Sequence, residues 1–349
     1  MTRRLGVVMD PIAAITPQKD STLALLLEAA RRGWALEYME LADLRLRDGR
    51  AEAFARPLDV RDDATSCFTL GMPRTVALAE LDLVLMRKDP PVDFEFIAAT
   101  WILEAAEREG TTVSNRPQSL RDANEKLAAT WFPQCTPPSL VSRDSSALRE
   151  FMEAQGRVVL KPLNEMGGRS VFVTGPGDSN ATVILEEMTR RGERFVVAQR
   201  FVAAVAETGD KRILLIDGEP VPGGLARIPA AGELRANMAA GGRAEPAELT
   251  DRERWICCEV GPTLRERGLH FVGIDVIDGW LTEINVTSPT GIRQIDRYFG
   301  MNVAGLLFDA LESTLERTAR QRRARAGVAS GGPGRGTPSP HGPVPAPWT

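Results

Sequence analysis

Over the first part of the chain, short apolar runs alternate with stretches whose apolar residues recur at helical spacing. "RLGVVMD" reads as a strand. "KDSTLALLLEAARRGW" follows as a helix, with Leu23, Leu26, Leu27 and Ala30 on one stripe and Gly33 where a helix stops. "ALEYMEL" is a second strand, and "LRLRDGRAEAFARPLDV" predicts a hairpin turning at Asp48-Gly49. "LDLVLMRKDPP" is a near-continuous apolar strand that ends abruptly in charge and proline, and the helix "FEFIAATWILEAAEREG" returns the chain to "TTVSN". Strands alternating with helices predict a parallel sheet covered on both faces, so residues 1–123 are expected to form one open α/β domain.

Beyond this region the rhythm changes. "SLRDANEKLAATWF" is predicted as a helix, and "RVVLKPLNEMGGRSVFV" as two strands joined by a glycine-rich turn. "RFVVAQRFV" and "KRILLIDGEPVPGGLARI" add strands, the last pair turning at Asp217-Gly218. "PAAGELRANMAAGGRAEP" carries no strand pattern, and loops of this length in a compact domain are usually functional or disordered. In the helical "DRERWICCEVGPTLRERG", Cys257 and Cys258 read as small buried hydrophobes. A final helix, "VAGLLFDALESTLERTARQRRARA", leads into "GVASGGPGRGTPSPHGPVPAPWT", which has little to bury and is expected to be disordered.

Composition narrows the chemistry. A chain of 349 residues outgrows one small core, so two or three sub-domains are expected. With 43 basic against 47 acidic residues the net charge is −4, which leaves no basic field for nucleic acid. No apolar run approaches bilayer length, and "MTRRLGVVMD" reads as a first strand instead of a signal peptide. Four cysteines without a CxxC pair are no disulfide framework, which points to a reducing cytoplasm. Only His270 and His341 exist, so Ser-His-Asp catalysis and His-rich zinc sites are nearly excluded. The chemistry falls to Lys, Arg, carboxylates and backbone.

Two segments carry that chemistry. Successive strand side chains point to opposite faces, so in "LTEINVTSP" Glu283 and Asn285 share a face while Ile284 and Val286 take the other. Asp275 lies in the neighbouring apolar run "FVGIDVIDG". The plain reading is a half-exposed strand; the sharper one is a hard-cation site built from carboxylate and amide oxygens. In "LKPLNEMGGRSV", Lys161 ends an apolar strand ahead of Gly167 and Gly168, a combination able to cradle phosphate, although a lysine near a Gly-Gly hairpin is ordinarily only a turn. Neither GxxxxGK[ST] nor a GxGxxG after the first strand occurs. Lys126, taken alone, is a solvated helical lysine beside Glu125; Arg212, Arg227, Arg235 and Arg243 sit in or around the last sheet and the Gly/Ala loop, where scattered arginines are ordinarily surface residues but also suit transferring phosphate.

The order of these parts resembles the ATP-grasp ligases: a helix lysine, a strand lysine with a glycine-rich turn, then Asp…Glu-x-Asn. The blocks "GVVMDPI", "LLLEAARRGW", "VLMRKDPP", "NRPQSLRDANEKL", "NMAAGGR", "FVGIDVI" and "LTEINVTSPTGIR" resemble bacterial glutathione synthetase over roughly residues 3–312. The resemblance implies a Rossmann-like, open parallel-sheet N-terminal domain followed by a two-part α+β ATP-grasp module. Its parts would be residues 124–202 as the small (lid) subdomain and 203–315 as the catalytic one, with a mobile loop at 228–243 and a helix end and tail at 316–349. It implies ATP held by Lys126, Lys161, Gly167, Gly168 and Gln199, and Mg²⁺ or Mn²⁺ held by Asp275, Glu283 and Asn285. Arg212, Arg227 and Arg235 would stabilise an acyl phosphate, and Arg87 and Ser288 would bind substrate. The implied substrates are γ-glutamylcysteine and glycine, in a cytoplasmic homotetramer with neither nucleic acid nor membrane as partner. The alternatives are a glutamate-adding or D-Ala-D-Ala type ligase of the same fold, and a non-catalytic ATP-binding module. The tail has no counterpart in the family, and the "DPIAAITPQKDS" loop departs from its usual Asn-rich form.

Overall fold

A computed structural model describes residues 2–165, 170–229 and 243–330. The first sheet is built around the strand Arg4–Met9, which runs parallel to Ala35–Met39 on one side and to Leu83–Arg87 on the other. Thr112–Ser114 extends the parallel part beyond Leu83–Arg87. The helices Ser21–Arg31 and Phe94–Glu109 start at Asp20 and Asp93, whose carboxylates accept the orphan amides of Leu23 and Phe96. The expected open parallel sheet is present, and the expected hairpin adds an antiparallel part to it. The hairpin at Asp48-Gly49, with φ of 50° and 80°, sends the long strand Arg50–Val60 back antiparallel against Ala35–Met39. Leu44–Arg47, Phe68–Leu70 and Arg74–Ala77 all pair with this strand in the same sense. Its alternating burial, with Ala51, Ala53 and Ala55 inward, lets the sheet end in a solvated antiparallel edge.

Two antiparallel sheets follow. Four strands in the order Phe172–Thr174, Val158–Pro162, Val196–Arg200, Ser139–Ser142 carry their own small core, in which Leu148, Met152, Leu160, Leu185 and Val196 pack together. Five strands in the order Arg243–Glu248, Glu219–Ile228, Asp210–Ile216, Phe271–Ile277, Trp280–Asn285 form the other. The helix Asp251–Glu266 lies so close to the Asp217-Gly218 turn that a Cβ on Gly261 would sit 2.2 Å from the Gly218 carbonyl oxygen. Ile213, Val272 and Ile284 of this sheet join the same apolar cluster as Val8 and Val84 of the first.

Three local expectations change. The segment around Lys126 is not one helix: the helix Pro117–Asp122 ends, residues 125–127 make a turn, and a 3₁₀ turn follows at Ala128–Trp131. The Asn124 side-chain oxygen accepts from the amides of Lys126 and Leu127, both at 3.2 Å, a local bond that competes with helix formation. Cys257 is buried as expected, but Cys258 is exposed, because adjacent helix positions lie about 100° apart and only one can face the core. Ile228 and Arg243, the ends of the expected mobile loop, are a facing pair on two antiparallel strands. The loop between them, residues 230–242, and the tail, residues 331–349, fall outside the described residues.

Candidate active site

Strand register builds the centre of the site. Arg212 on Asp210–Ile216 faces Asp275 on Phe271–Ile277, and Asp275 faces Glu283 on Trp280–Asn285. Directly opposed residues share a sheet face, so three separated positions become one row. Arg212 grips the Asp275 carboxylate with two bonds, Nε at 2.5 Å and Nη2 at 3.0 Å. Arg227 reaches the same carboxylate at 2.9 Å and Asp210 at 2.6 Å. Asp275 and Arg212 are buried, at 3% and 7% exposed, and Arg227 and Asp210 are partly buried. Burial alone would push the Asp275 carboxyl up, but the two guanidinium groups outweigh it and hold the group well below the usual carboxylate range. Asp210 goes the other way: burial, reinforced by the Asp275 charge, pushes it up to about 6 against the pull of Arg227.

Asn285 donates its side-chain amide to the Gly273 carbonyl at 3.0 Å and to Asp275 at 3.2 Å, which fixes it beside the row. Glu283 is half-buried and less engaged, with the Lys161 ammonium at 3.7 Å. Lys161 comes from the four-stranded sheet, where it also donates to Gln199 at 3.3 Å, and Gln199 in turn donates to Ser139 at 3.1 Å. The two antiparallel sheets therefore meet lysine against carboxylate. Buried Lys126 joins from its turn, donating to the Glu165 carbonyl just ahead of the glycine-rich segment.

The carboxyl ends of the parallel strands supply the other half. Arg87 closes Leu83–Arg87, is 5% exposed, and donates to Thr22 at 3.1 Å and to the Pro289 carbonyl at 3.0 Å. Burial pulls its guanidinium down to about 10, with Asp20 and Asp89 acting against that pull. Ser288 hydrogen-bonds the Asp89 carboxyl, which burial raises. Arg212 donates to the Thr290 carbonyl at 3.4 Å, so adjacent carbonyls at Pro289 and Thr290 join Arg87 to the acid row. The amides of Gly291 and Ile292 both donate to Ser21, at 3.0 and 3.2 Å, pinning this crossing to the first domain.

Of the residues singled out from sequence, Lys126, Lys161, Gln199, Arg212, Arg227, Asp275, Glu283 and Asn285 gather around one row, with Arg87 and Ser288 beside it. Gly167, Gly168 and Arg235 lie outside the described residues. Asp210 escaped sequence reasoning, although the spacing Asp210-x-Arg212 at a strand start already puts two opposite charges on one face.

The model of the prokaryotic glutathione synthetase N-terminal domain matches residues 4–121, and that of the family's ATP-grasp domain matches residues 125–300. The chain belongs to the prokaryotic glutathione synthetase family. It is 57% identical over 316 residues to the glutathione synthetase of Pseudomonas syringae pv. tomato, an alignment spanning 90% of this chain and 99% of that one. To the glutathione synthetase of Escherichia coli (strain K12) it is 52% identical over 313 residues, again 90% of this chain and 99% of that one. The fold is that of ATP-grasp ligases. A D-cycloserine synthetase aligns with a TM-score of 0.63 at 17% identity, covering 89% of this chain and 99% of its own. The D-alanyl-alanine synthetase A of Vibrio cholerae aligns at 0.56 and 13% identity, covering 90% and 98%.

The donor set of this family member fits a hard divalent cation. Asp275 and Glu283 face each other on neighbouring strands, Asn285 lies on the same face as Glu283, and the depressed Asp275 carboxyl stays ionised at neutral pH. Among the described residues no group of three or more His, Cys, Asp or Glu gathers to hold a metal, so two carboxylates and an amide are the oxygen donors on offer. Both Asp275 oxygens are already engaged by guanidinium groups, which makes Glu283 the more open of the two acids. No helix among the described residues is long and apolar enough to cross a membrane.

Proposed function

We infer that this chain is a glutathione synthetase, joining γ-glutamylcysteine to glycine with conversion of ATP to ADP and phosphate. The observation that carries the reading is the Arg212–Asp275–Glu283 row meeting Lys161 and Gln199 from the facing sheet, in a chain of this family. A carboxylate is a poor electrophile and must be activated first. An oxygen of the cysteine carboxylate attacks the γ-phosphorus of ATP, ADP departs, and an acyl phosphate remains. The glycine amine then attacks the acyl carbon, the carbon–oxygen bond to phosphate breaks, and the amine gives up a proton as the amide forms.

The chain's own residues position charge for these steps. Lys126 and Lys161 hold the ATP phosphates, and Gln199 stands beside the base. Asp275, Glu283 and Asn285 would hold Mg²⁺ (or Mn²⁺), which when bound offsets negative charge on the phosphates. Arg212 and Arg227 sit where the acyl phosphate forms; their pairing with Asp275 keeps two guanidinium groups oriented without a ligand. Arg87 and Ser288 take the peptide substrate at the carboxyl end of the parallel strand. The cytoplasmic setting and homotetrameric assembly belong to the same reading. Substrate labelled with ¹⁸O in the cysteine carboxylate tests the chemistry: one labelled oxygen should appear in inorganic phosphate for each glutathione formed. Phosphate free of label would overturn the acyl-phosphate route.

A further inference from the structure

We propose that Glu125 is a positioning residue for this reaction, locking the turn that carries Lys126 onto the strand end that carries Glu283 and Asn285. Glu125 is half-buried and holds residues 284–287 at four points. Its backbone carbonyl accepts from the Ile284 amide at 2.9 Å. Its Oε1 accepts from the Val286 amide at 3.0 Å, the Thr287 amide at 3.1 Å and the Thr287 hydroxyl at 2.8 Å. A desolvated carboxylate is costly unless hydrogen-bonded, and bonds to a charged acceptor are the strong ones. Four contacts on one short stretch therefore define a single arrangement of turn against strand.

The flanking residues give the lock its consequence. Asn124 donates to the Leu163 carbonyl at 2.8 Å, and Lys126 donates to the Glu165 carbonyl, both in the loop after the Lys161 strand. Three consecutive residues thus join the phosphate side, Lys126 and the Lys161 loop, to the metal side, Glu283 and Asn285. Their spacing is set by Glu125, since Ile284 lies between those two donors and its amide is held by the Glu125 carbonyl. Glu125 acts through its neighbours, the turn of Lys126 and the strand end after Asn285. The proposal rests on the reading of Lys126 as a phosphate lysine and of Glu283 and Asn285 as metal donors.

Glu125→Gln keeps the shape and one acceptor but removes the charge; Thr287→Val removes one donor and keeps both backbone bonds, and Thr287→Ser restores that donor. Melting temperature, kcat, the KM of each substrate and the Mg²⁺ dependence are measured for all three and for Glu283→Gln. The expected result is a folded E125Q with kcat lowered about tenfold or more and a raised Mg²⁺ requirement, the scale typical of residues that orient metal donors. T287V should show a smaller loss in the same direction, with T287S recovering most of it; should E125Q fail to fold, this pair carries the test. If E125Q or T287V lowers only the melting temperature and leaves kcat and the Mg²⁺ requirement unchanged, Glu125 is merely structural and the proposal falls. If Glu283→Gln also leaves turnover unchanged, the metal-side reading falls with it; a collapse in E283Q with none in E125Q or T287V removes Glu125 alone.

Discussion

Replacing Arg227 with Met removes a guanidinium that two carboxylates share, and the structure sets the size of the effect. Arg227 binds Asp210 at 2.6 Å and Asp275 at 2.9 Å. Asp275 would keep its two bonds from Arg212, whereas Asp210, already pushed up to about 6 by burial, would lose its guanidinium partner. Breaking a buried ion pair by removing one partner costs at most about 3–5 kcal/mol, because the carboxyl left behind must stay charged without compensation or take up a proton. At about 2 °C per kcal/mol for a large domain, the melting temperature should fall by at most on the order of 5–10 °C. The second half of the test is a rescue. Adding Asp210→Asn removes the stranded charge, so R227M/D210N should regain about half or more of the lost stability, as expected for coupled neighbours. Catalysis should stay low in both variants, because neither restores the second guanidinium beside Asp275. Thermal melting at pH 7.5 and coupled ADP release, normalised to folded protein, read the two effects separately. A loss below about 1 kcal/mol in R227M, the range of an ordinary surface change, would refute the buried-pair reasoning. Further destabilisation by D210N in that background would refute it equally.

Glu283→Gln keeps size and removes charge from the more open acid, so turnover should fall by about 10² or more while melting is preserved; unchanged activity with lowered melting would make Glu283 structural. Glu28 accepts from Arg31, Arg32 and Asn302, and bonding to Arg31 first of all pulls its carboxyl from 4.5 down to about 2. A depressed carboxylate stabilises the fold fully above its unfolded value and loses that contribution as pH falls through its folded one. The stability gap between the parent and Glu28→Gln should therefore be widest above pH 4.5 and close toward pH 2, and a gap independent of pH would contradict this. Cys67, Cys135 and Cys257 are buried, and burial pushes the Cys135 and Cys257 thiols up to about 11 and 12. One thiol per chain, lost in Cys258→Ser, should react rapidly with a disulfide reagent in the native protein; rapid reaction retained in that variant would contradict the burial pattern.

The parts of this fold that were legible in sequence are those fixed by local rules. Asp48-Gly49 and Asp217-Gly218 form hairpin turns because both residues of each pair adopt positive φ, which that dipeptide tolerates. Glu283 and Asn285 share a face because strand alternation leaves no other choice, and Ile284 and Val286 are fully buried behind them. Illegible were features decided by distant partners. "DANEKLAAT" has helical spacing, yet Asn124 caps its own turn and Glu125 is drawn to a strand some 160 residues away. Glu125 beside Lys126 looked like a solvated pair for the same reason. The antiparallel edge on the first sheet depends on how far Arg50–Val60 extends past its hairpin, which the apolar pattern leaves open. The guanidinium pairs on Asp275 follow from register between strands, and register is set by the whole sheet.

The central claim, that this site joins γ-glutamylcysteine to glycine, is tested most directly by ADP release from the full chain with ATP, Mg²⁺ and candidate acid–amine pairs. The account predicts rapid release that needs both γ-glutamylcysteine and glycine and yields glutathione in equal amount. Release with D-alanine alone, or with free glutamate as the amine, at a rate comparable to that of the expected pair would contradict it.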